Sequence, residues 1–163
     1  MGVPRAPGVL HPEAWSSCTR TSRSSGDTRV IRVLLVDNSA AIRTGVSALL
    51  DSTPDLVLAG SCGTGAEAVT ARPVPDIVLM DMRMPGLDGI DATVALLAVR
   101  PTSKVIVLTA WAAADAITRA RKAGAVGLVA KAAGPAALLT ALRTVAAGGT
   151  AWPEADVSGR RIR

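Results

Sequence analysis

Short, continuously apolar runs alternate along this chain with longer stretches in which apolar residues recur every three or four positions. The runs predict strands near residues 31–37, 56–61, 76–81, 104–109 and 126–130. Strands that are apolar throughout belong to parallel sheets that helices cover on both faces. With right-handed crossovers, the smallest such sheet with a central reversal has the strand order 2-1-3-4-5. The pattern therefore predicts a doubly wound α/β fold, a (βα)5 three-layer sandwich.

The stretches between the runs predict amphipathic helices. The first helix would be capped by Asn38 or Ser39, and its predicted core positions are Ile42, Val46, Leu49 and Leu50. In the helix before the fourth strand, the predicted core positions are Ile90, Val94 and Leu97. The last helix begins with Pro135 in its first turn and stops at Gly148-Gly149, and its predicted core positions are Leu138, Leu139, Leu142 and Val145.

Composition divides the chain into a folded domain and two flanking segments. Residues 1–29 are rich in serine, threonine and arginine, which predicts a disordered extension. Residues 30–149 carry the alternating pattern, and residues 150–163 form a short tail in which Trp152-Pro153 either folds back or begins a linker. No run reaches the roughly 18 apolar residues of a membrane span, and no secretory signal is evident. We therefore expect one domain, no membrane association and a cytoplasmic location.

The net charge of +5 is spread along the chain rather than concentrated in one segment. The densest basic cluster, Arg119, Arg121 and Lys122, is typical of the solvated face of a helix. Single-stranded nucleic acids are bound by basic grooves with aromatic stacking partners, and this chain has no Phe and no Tyr. We therefore expect no direct binding of nucleic acid.

Four residues that can carry chemistry stand at the ends of predicted strands: Asp37, Asp81, Thr109 and Lys131. The carboxyl ends of parallel strands share one edge, and strands 1 and 3 are neighbours in the predicted order, so Asp37 and Asp81 should meet. Singly, each residue could be only a turn cap, a strand terminator or a solvent-facing lysine. Together they favour a Mg²⁺ site in which Asp81 attacks a phosphoryl group, while Thr109 and Lys131 bind its oxygens.

The segment VLMDMRMPGLDG, residues 78–89, resembles the phosphoacceptor signature of the receiver domains of two-component response regulators. Further landmarks of that family match at residues 108–110 and 124–131, and the resemblance covers residues 31–148. It implies the flavodoxin-like form of the doubly wound fold. The absence of proline after Lys131 and the ending of the last helix resemble the NarL/LuxR-type branch.

The resemblance also implies a role for each candidate residue. Asp81 would be the phosphoacceptor, Thr109 the switch hydroxyl and Lys131 the phosphate-binding cation. The implied cofactor is Mg²⁺, and the implied metal ligands are Asp37, Asn38, Asp81 and the backbone carbonyl of Arg83. An amide at position 38, where the family usually has a second acid, should weaken Mg²⁺ binding because it brings no charge.

Two further departures from the family pattern concern signalling. Leu128 stands where the family usually carries Tyr or Phe, which puts the usual aromatic switch in question. Fourteen residues follow Gly149, too few for a helix-turn-helix output domain.

The sequence thus predicts a stand-alone receiver and not an enzyme beyond slow self-dephosphorylation. The expected partners are a histidine kinase or phosphotransfer protein and, through a face built from helix 4, strand 5 and helix 5, a second copy. The alternative is a phosphorylation-independent pseudo-receiver, or a truncated transcriptional regulator, that acts only as a protein-binding module.

Overall fold

The computed structural model describes residues 29–72 and 74–153. The predicted disordered extension, apart from its last residue, and the tail beyond Pro153 lie outside the described residues. Within the described part, no helix combines the length and the hydropathy needed to cross a bilayer.

Strands and α-helices alternate along the described residues. They are β1 (Ile31–Val36), α1 (Ala40–Asp51), β2 (Leu56–Cys62), α2 (Gly65–Thr70), β3 (Ile77–Asp81), α3 (Gly89–Val99), β4 (Lys104–Thr109), α4 (Ala114–Lys122), β5 (Gly127–Ala130) and α5 (Pro135–Ala146). A 3-10 turn, Lys131–Ala133, lies between β5 and α5. The strands form one parallel sheet with the order β2-β1-β3-β4-β5, which confirms the predicted topology.

Two apolar layers, one on each face of the sheet, make the core. On one face, the sheet packs against α1 and α5 through buried residues such as Leu50, Leu142 and Val145. On the other face, it packs against α2, α3 and α4, where small residues such as Ala68, Ala92 and Ala120 allow close approach. The structure is therefore the three-layer sandwich that the apolar strands predicted.

The core face of α3 differs from the prediction. Val94 is 51% exposed, and the fully buried leucine is Leu96, which stands beside Ala92 and Thr93 in the core. Ile90 and Leu97 are partly buried. Because α3 is apolar on nearly every side, its periodicity gave little contrast between the inner and outer faces.

The residues after α5 fold back onto the sheet. The backbone N–H of Ala151 donates to the carbonyl of Val126 at 3.0 Å, and the N–H of Leu128 donates to the carbonyl of Ala151 at 2.8 Å. Residue 151 therefore pairs in parallel with Gly127 at the free edge of β5.

Candidate functional site

Two buried carboxylates lie side by side at the carboxyl edge of the sheet. Asp37 follows β1 directly, and Asp81 is the last residue of β3. Because β1 and β3 are paired in register, with Val36 opposite Met80, the two acids that follow these positions become neighbours. Asp37 is 0% exposed and Asp81 is 3% exposed, so neither charge is solvated as it would be in water.

Lys131 binds both carboxylates. Its Nζ lies 2.7 Å from Oδ2 of Asp37 and 3.1 Å from Oδ1 of Asp81. Lys131 reaches them because it follows β5 directly at the same edge of the sheet. Two negative charges share one positive charge, so the three side chains keep a surplus negative charge that a further cation could neutralise.

The protonation of these groups reflects burial and mutual contact. Burial raises the pKa of Asp81, the charge of Asp37 raises it further, and Lys131 offsets part of the shift. Burial alone would lower the pKa of Lys131, but its contacts with Asp37 and Asp81 outweigh that effect and raise the pKa. Lys131 is therefore charged at neutral pH.

Backbone groups orient the two acids. Oδ1 of Asp37 accepts from the N–H of Ser39 at 2.8 Å, and Oδ1 of Asp81 accepts from the N–H of Arg83 at 3.3 Å. Ser39 also caps α1, since its hydroxyl accepts from the N–H of Ile42. The guanidinium of Arg43 donates to the carbonyl of Asp37 at 2.6 Å, which fixes the loop between β1 and α1.

The loop after Asp81 depends on a glycine. A Cβ on Gly89 would lie 1.8 Å from the carbonyl oxygen of Asp81, so only glycine allows α3 to start this close to the end of β3. Asp88 caps α3 by accepting from the N–H groups of Ile90 and Asp91. Gly89 therefore helps to place the acid that the sequence singled out.

Thr109 ends β4 one residue beyond Leu108, which pairs with Asp81. Its hydroxyl donates to the carbonyl of Trp111 at 3.0 Å and also lies 3.2 Å from the N–H of that residue. The structure thus places Thr109 at the same edge but engages its hydroxyl with the following loop.

An open cavity of about 630 Å³ lies at this edge. Residues that line it include Asn38, Arg83, Asp88, Thr109, Trp111 and Arg119. Three predicted site residues, Asn38, Arg83 and Thr109, therefore share one cavity that is large enough for a small phosphate compound. Asp37, Asp81 and Lys131 are not among its lining residues, and the two acids directly precede the lining residues Asn38 and Met82.

The oxygen donors at this edge fit Mg²⁺, which binds one or two carboxylates and completes its shell with neutral oxygens. Asp37 and Asp81 would supply the carboxylates, and Asn38 and the carbonyl of Arg83 are the neutral candidates. No group of three acid, histidine or cysteine side chains suited to a metal occurs in the described residues. Lys131 already neutralises part of the charge, so a metal ion would compete with its ammonium group.

One contact across the cavity was not predictable from the sequence. The guanidinium of Arg119, on α4, lies 3.2 Å from Oδ2 of Asp88, at the start of α3. The sequence assigned Arg119 to a solvated helix face, and half of its side chain is indeed exposed. The ion pair joins two residues that are 31 positions apart in the sequence, and no local motif indicates it.

A known protein family matches this chain. The family model for the response regulator receiver domain matches residues 33–143 of the chain. The chain therefore belongs to the response regulator receiver family, which confirms the resemblance drawn from its motifs.

Its curated relatives are regulators of the NarL/LuxR type. The chain is 40% identical over 121 residues to the response regulator GacA of Pseudomonas viridiflava, covering 73% of this chain and 56% of that protein. It is 35% identical over 121 residues to the transcriptional regulatory protein LiaR of Bacillus subtilis, covering 73% of this chain and 57% of that protein. The chain thus spans little more than half the length of these relatives.

Solved structures show the same fold. A LuxR-family two-component response regulator from Aurantimonas superposes with a TM-score of 0.73 at 28% identity, covering 79% of this chain and 93% of that chain. The receiver domain of the response regulator NarL from Mycobacterium tuberculosis superposes with a TM-score of 0.68 at 27% identity, covering 74% and 98%.

Proposed function

We propose that this chain accepts a phosphoryl group on Asp81 and signals through the resulting change at the carboxyl edge. The observation that supports this most directly is the buried pair Asp37 and Asp81, which share Lys131 beside an open cavity. A purely structural ion pair would gain nothing from a second buried acid, whose desolvation costs free energy. Such an arrangement is typical of a functional site.

In the proposed transfer, a carboxylate oxygen of Asp81 attacks phosphorus in the phosphohistidine of a partner kinase or phosphotransfer protein. The new O–P bond forms as the P–N bond breaks, and the histidine nitrogen keeps the bonding electron pair. Lys131 can bind the phosphoryl oxygens once they are attached to Asp81, since its ammonium already contacts that carboxylate. Thr109 can donate to them once its hydroxyl leaves the carbonyl of Trp111.

Bound Mg²⁺ would neutralise charge that develops on the transferred oxygens. The residues of this chain that would hold it are Asp37, Asn38, Asp81 and the carbonyl of Arg83. Because Asn38 is uncharged and Lys131 competes for both acids, we expect Mg²⁺ to bind weakly and phosphorylation to be slow.

The finer parts of the proposal concern partners. We propose a cytoplasmic receiver that turns over nothing beyond its own phosphorylation and slow dephosphorylation. A phosphoryl group adds roughly −1.5 to −2 charge, which would draw Thr109 and Lys131 inward and reshape the face of α4, β5 and α5. That face would meet a partner or a second copy, without direct contact to nucleic acid.

Labelling by acetyl phosphate tests the phosphoacceptor. We expect Mg²⁺-dependent labelling, seen as a band retarded on a phosphate-binding gel and as a phosphorylated peptide containing Asp81. Asp81→Ala should abolish the label, whereas Asp51→Ala, which removes an exposed acid at the end of α1, should leave it unchanged. Equal labelling of wild type and Asp81→Ala would refute the assignment.

A second candidate function is a phosphorylation-independent module that only binds proteins. Two observations favour it: Asn38 supplies no charge, and Lys131 bridges both acids. This candidate predicts no label on Asp81 at any Mg²⁺ concentration, so the same experiment distinguishes the two functions.

A further inference from the structure

The residues that leave α5 form a docked segment, residues 150–153, along the free edge of β5. Two backbone hydrogen bonds hold Ala151 to β5 and the residue before it, one from its N–H and one to its carbonyl. A Cβ on Gly127 would lie 2.7 Å from the carbonyl oxygen of Ala151, so glycine is needed in β5 for this approach. The docked segment is thus held to the edge of the sheet by backbone hydrogen bonds and not only by side-chain packing.

The aromatic ring of the docked segment contacts α4. Trp152 is partly buried and packs against the core layer that α4 covers. The guanidinium carbon of Arg121, in the last turn of α4, lies 4.5 Å from the centre of the Trp152 ring. This is a cation–π contact, which is worth a few-fold in an equilibrium constant at an exposed site.

The two elements that hold the docked segment also lead to the proposed phosphoryl site. β5 runs directly into Lys131, which binds Asp37 and Asp81. α4 begins at Ala114, shortly after the loop in which the hydroxyl of Thr109 donates to Trp111. The docked segment is therefore attached to β5 through the backbone of Ala151 and to α4 through the contact of Trp152 with Arg121.

We propose that docking of residues 150–153 depends on the state of Asp81, with Trp152 as the contact that changes. The inference rests on the proposed function. When Thr109 turns to a phosphoryl group, it releases the carbonyl of Trp111, and the loop and α4 shift with it. The backbone of β5 keeps its pairing with β4, so the change in this face falls mainly on α4. Arg121 then leaves the ring of Trp152, which weakens the hold on the segment that follows α5.

The contact between Arg121 and Trp152 should in turn affect how readily Asp81 is modified, because the two equilibria are linked. If the contact between Arg121 and Trp152 exists only in the unmodified state, its removal must favour the modified state by the same factor. Arg121→Gln should therefore raise the apparent affinity for beryllofluoride, a phosphoryl mimic, by about two- to five-fold. Lys122→Gln is the matched control, because it removes the same charge from the same turn of an exposed helix end.

The experiment uses the full ¹⁵N-labelled chain, titrated with beryllofluoride in the presence of Mg²⁺. The indole N–H signal of Trp152, assigned with Trp152→Phe, is followed by NMR, and labelling of Asp81 by acetyl phosphate is measured in parallel. When the wild type is saturated with beryllofluoride, we expect the signal to shift toward the position that it has in the Arg121→Gln variant without beryllofluoride. We also expect the affinity to rise in Arg121→Gln and to stay at the wild-type value in Lys122→Gln.

Each contrary result has a distinct meaning. If Asp81 is labelled but the Trp152 signal does not move, the inference is wrong and the proposed function stands. The inference is also wrong if Arg121→Gln and Lys122→Gln change the affinity equally. If Asp81 takes no label, the proposed function is wrong, and the inference is overturned with it.

Discussion

At the carboxyl edge of the sheet, Asp37 and Asp81 share the ammonium of Lys131, whereas at the amino edge the carboxylate of Asp76 binds the guanidinium groups of Arg29 and Arg32. The ratio of acids to cations is thus two to one at one edge and one to two at the other. The carboxyl-edge cluster joins the end of β1 to the end of β3. The amino-edge cluster joins the start of β1 to the loop before β3. The clusters therefore differ in the sign of their surplus charge and in burial, since the carboxyl-edge acids are buried and the amino-edge arginines are exposed.

The amino-edge cluster is saturated with hydrogen bonds. Oδ2 of Asp76 accepts from both the backbone N–H and the Nε of Arg32, and the N–H of Asp76 donates to the carbonyl of Arg32. That arrangement ties β1 to the residue that precedes β3, and we expect it to stabilise the fold. The carboxyl-edge cluster keeps uncompensated negative charge in a buried place, which lowers stability but leaves room for a cation and a phosphate.

The largest effect is expected when the carboxyl edge loses its cation. Lys131→Met would leave two buried carboxylates without a counter-ion, at a cost of about 3 kcal/mol in the free energy of unfolding. Mg²⁺ should recover part of this loss, and it should stabilise the variant more than the wild type. Urea unfolding at pH 7, with and without Mg²⁺, measures both quantities.

The control for that variant is Lys122→Met, at the exposed end of α4, which should cost little. Equal stability of Lys131→Met and wild type would show that the ion pairs seen in the structure carry no net energy.

At the amino edge, Asp76→Asn should cost about 1–3 kcal/mol at pH 7, because charge-assisted hydrogen bonds are lost. Burial would raise the pKa of Asp76, but the hydrogen bonds from Arg32 and the charges of Arg32 and Arg29 lower it below the usual 3.8. A lowered pKa stabilises the fold above the unfolded-state pKa, and this contribution is lost as the pH falls through the folded-state value.

The difference in unfolding free energy between wild type and Asp76→Asn should therefore be constant near neutral pH and shrink below about pH 4. Urea unfolding from pH 7 to pH 3 measures it, with Asp51→Asn as an exposed control. A difference that persists unchanged at pH 3 would contradict the assigned role of the carboxylate.

A smaller effect should follow from adding charge at the carboxyl edge. Asn38→Asp should tighten Mg²⁺ binding by about tenfold, because desolvation offsets part of the roughly 4 kcal/mol that a charge pair gains at 4 Å. Isothermal titration calorimetry with Mg²⁺ measures the change. Thr102→Asp places the same charge at the amino edge and should leave Mg²⁺ affinity unchanged. Unchanged affinity in Asn38→Asp would mean that residue 38 does not face the metal.

Much of the fold could be predicted because its signals are local. Apolar runs gave the strand positions to within a residue, and the spacing of Leu138, Leu142 and Val145 gave the buried face of α5. The cap at Ser39 is also a local signal, since its hydroxyl needs only the backbone three residues on.

The errors and omissions have a common origin in contacts between distant elements. Helical spacing predicts Val94 in the core, yet Leu96 is the buried residue, since an apolar helix is oriented by its neighbours rather than by its own pattern. The stacking of Arg121 on Trp152 likewise joins residues that no sequence motif connects.

The sequence by itself determined the strand order, the edge at which Asp37, Asp81, Thr109 and Lys131 gather, and the family, because periodicity and strand-end position are properties of short segments. Only the tertiary structure decided that Lys131 bonds both acids, that Thr109 turns to the following loop, and that residue 151 joins the edge of β5. Side-chain partners are chosen by distances of a few ångströms, and those distances exist only after the layers have packed.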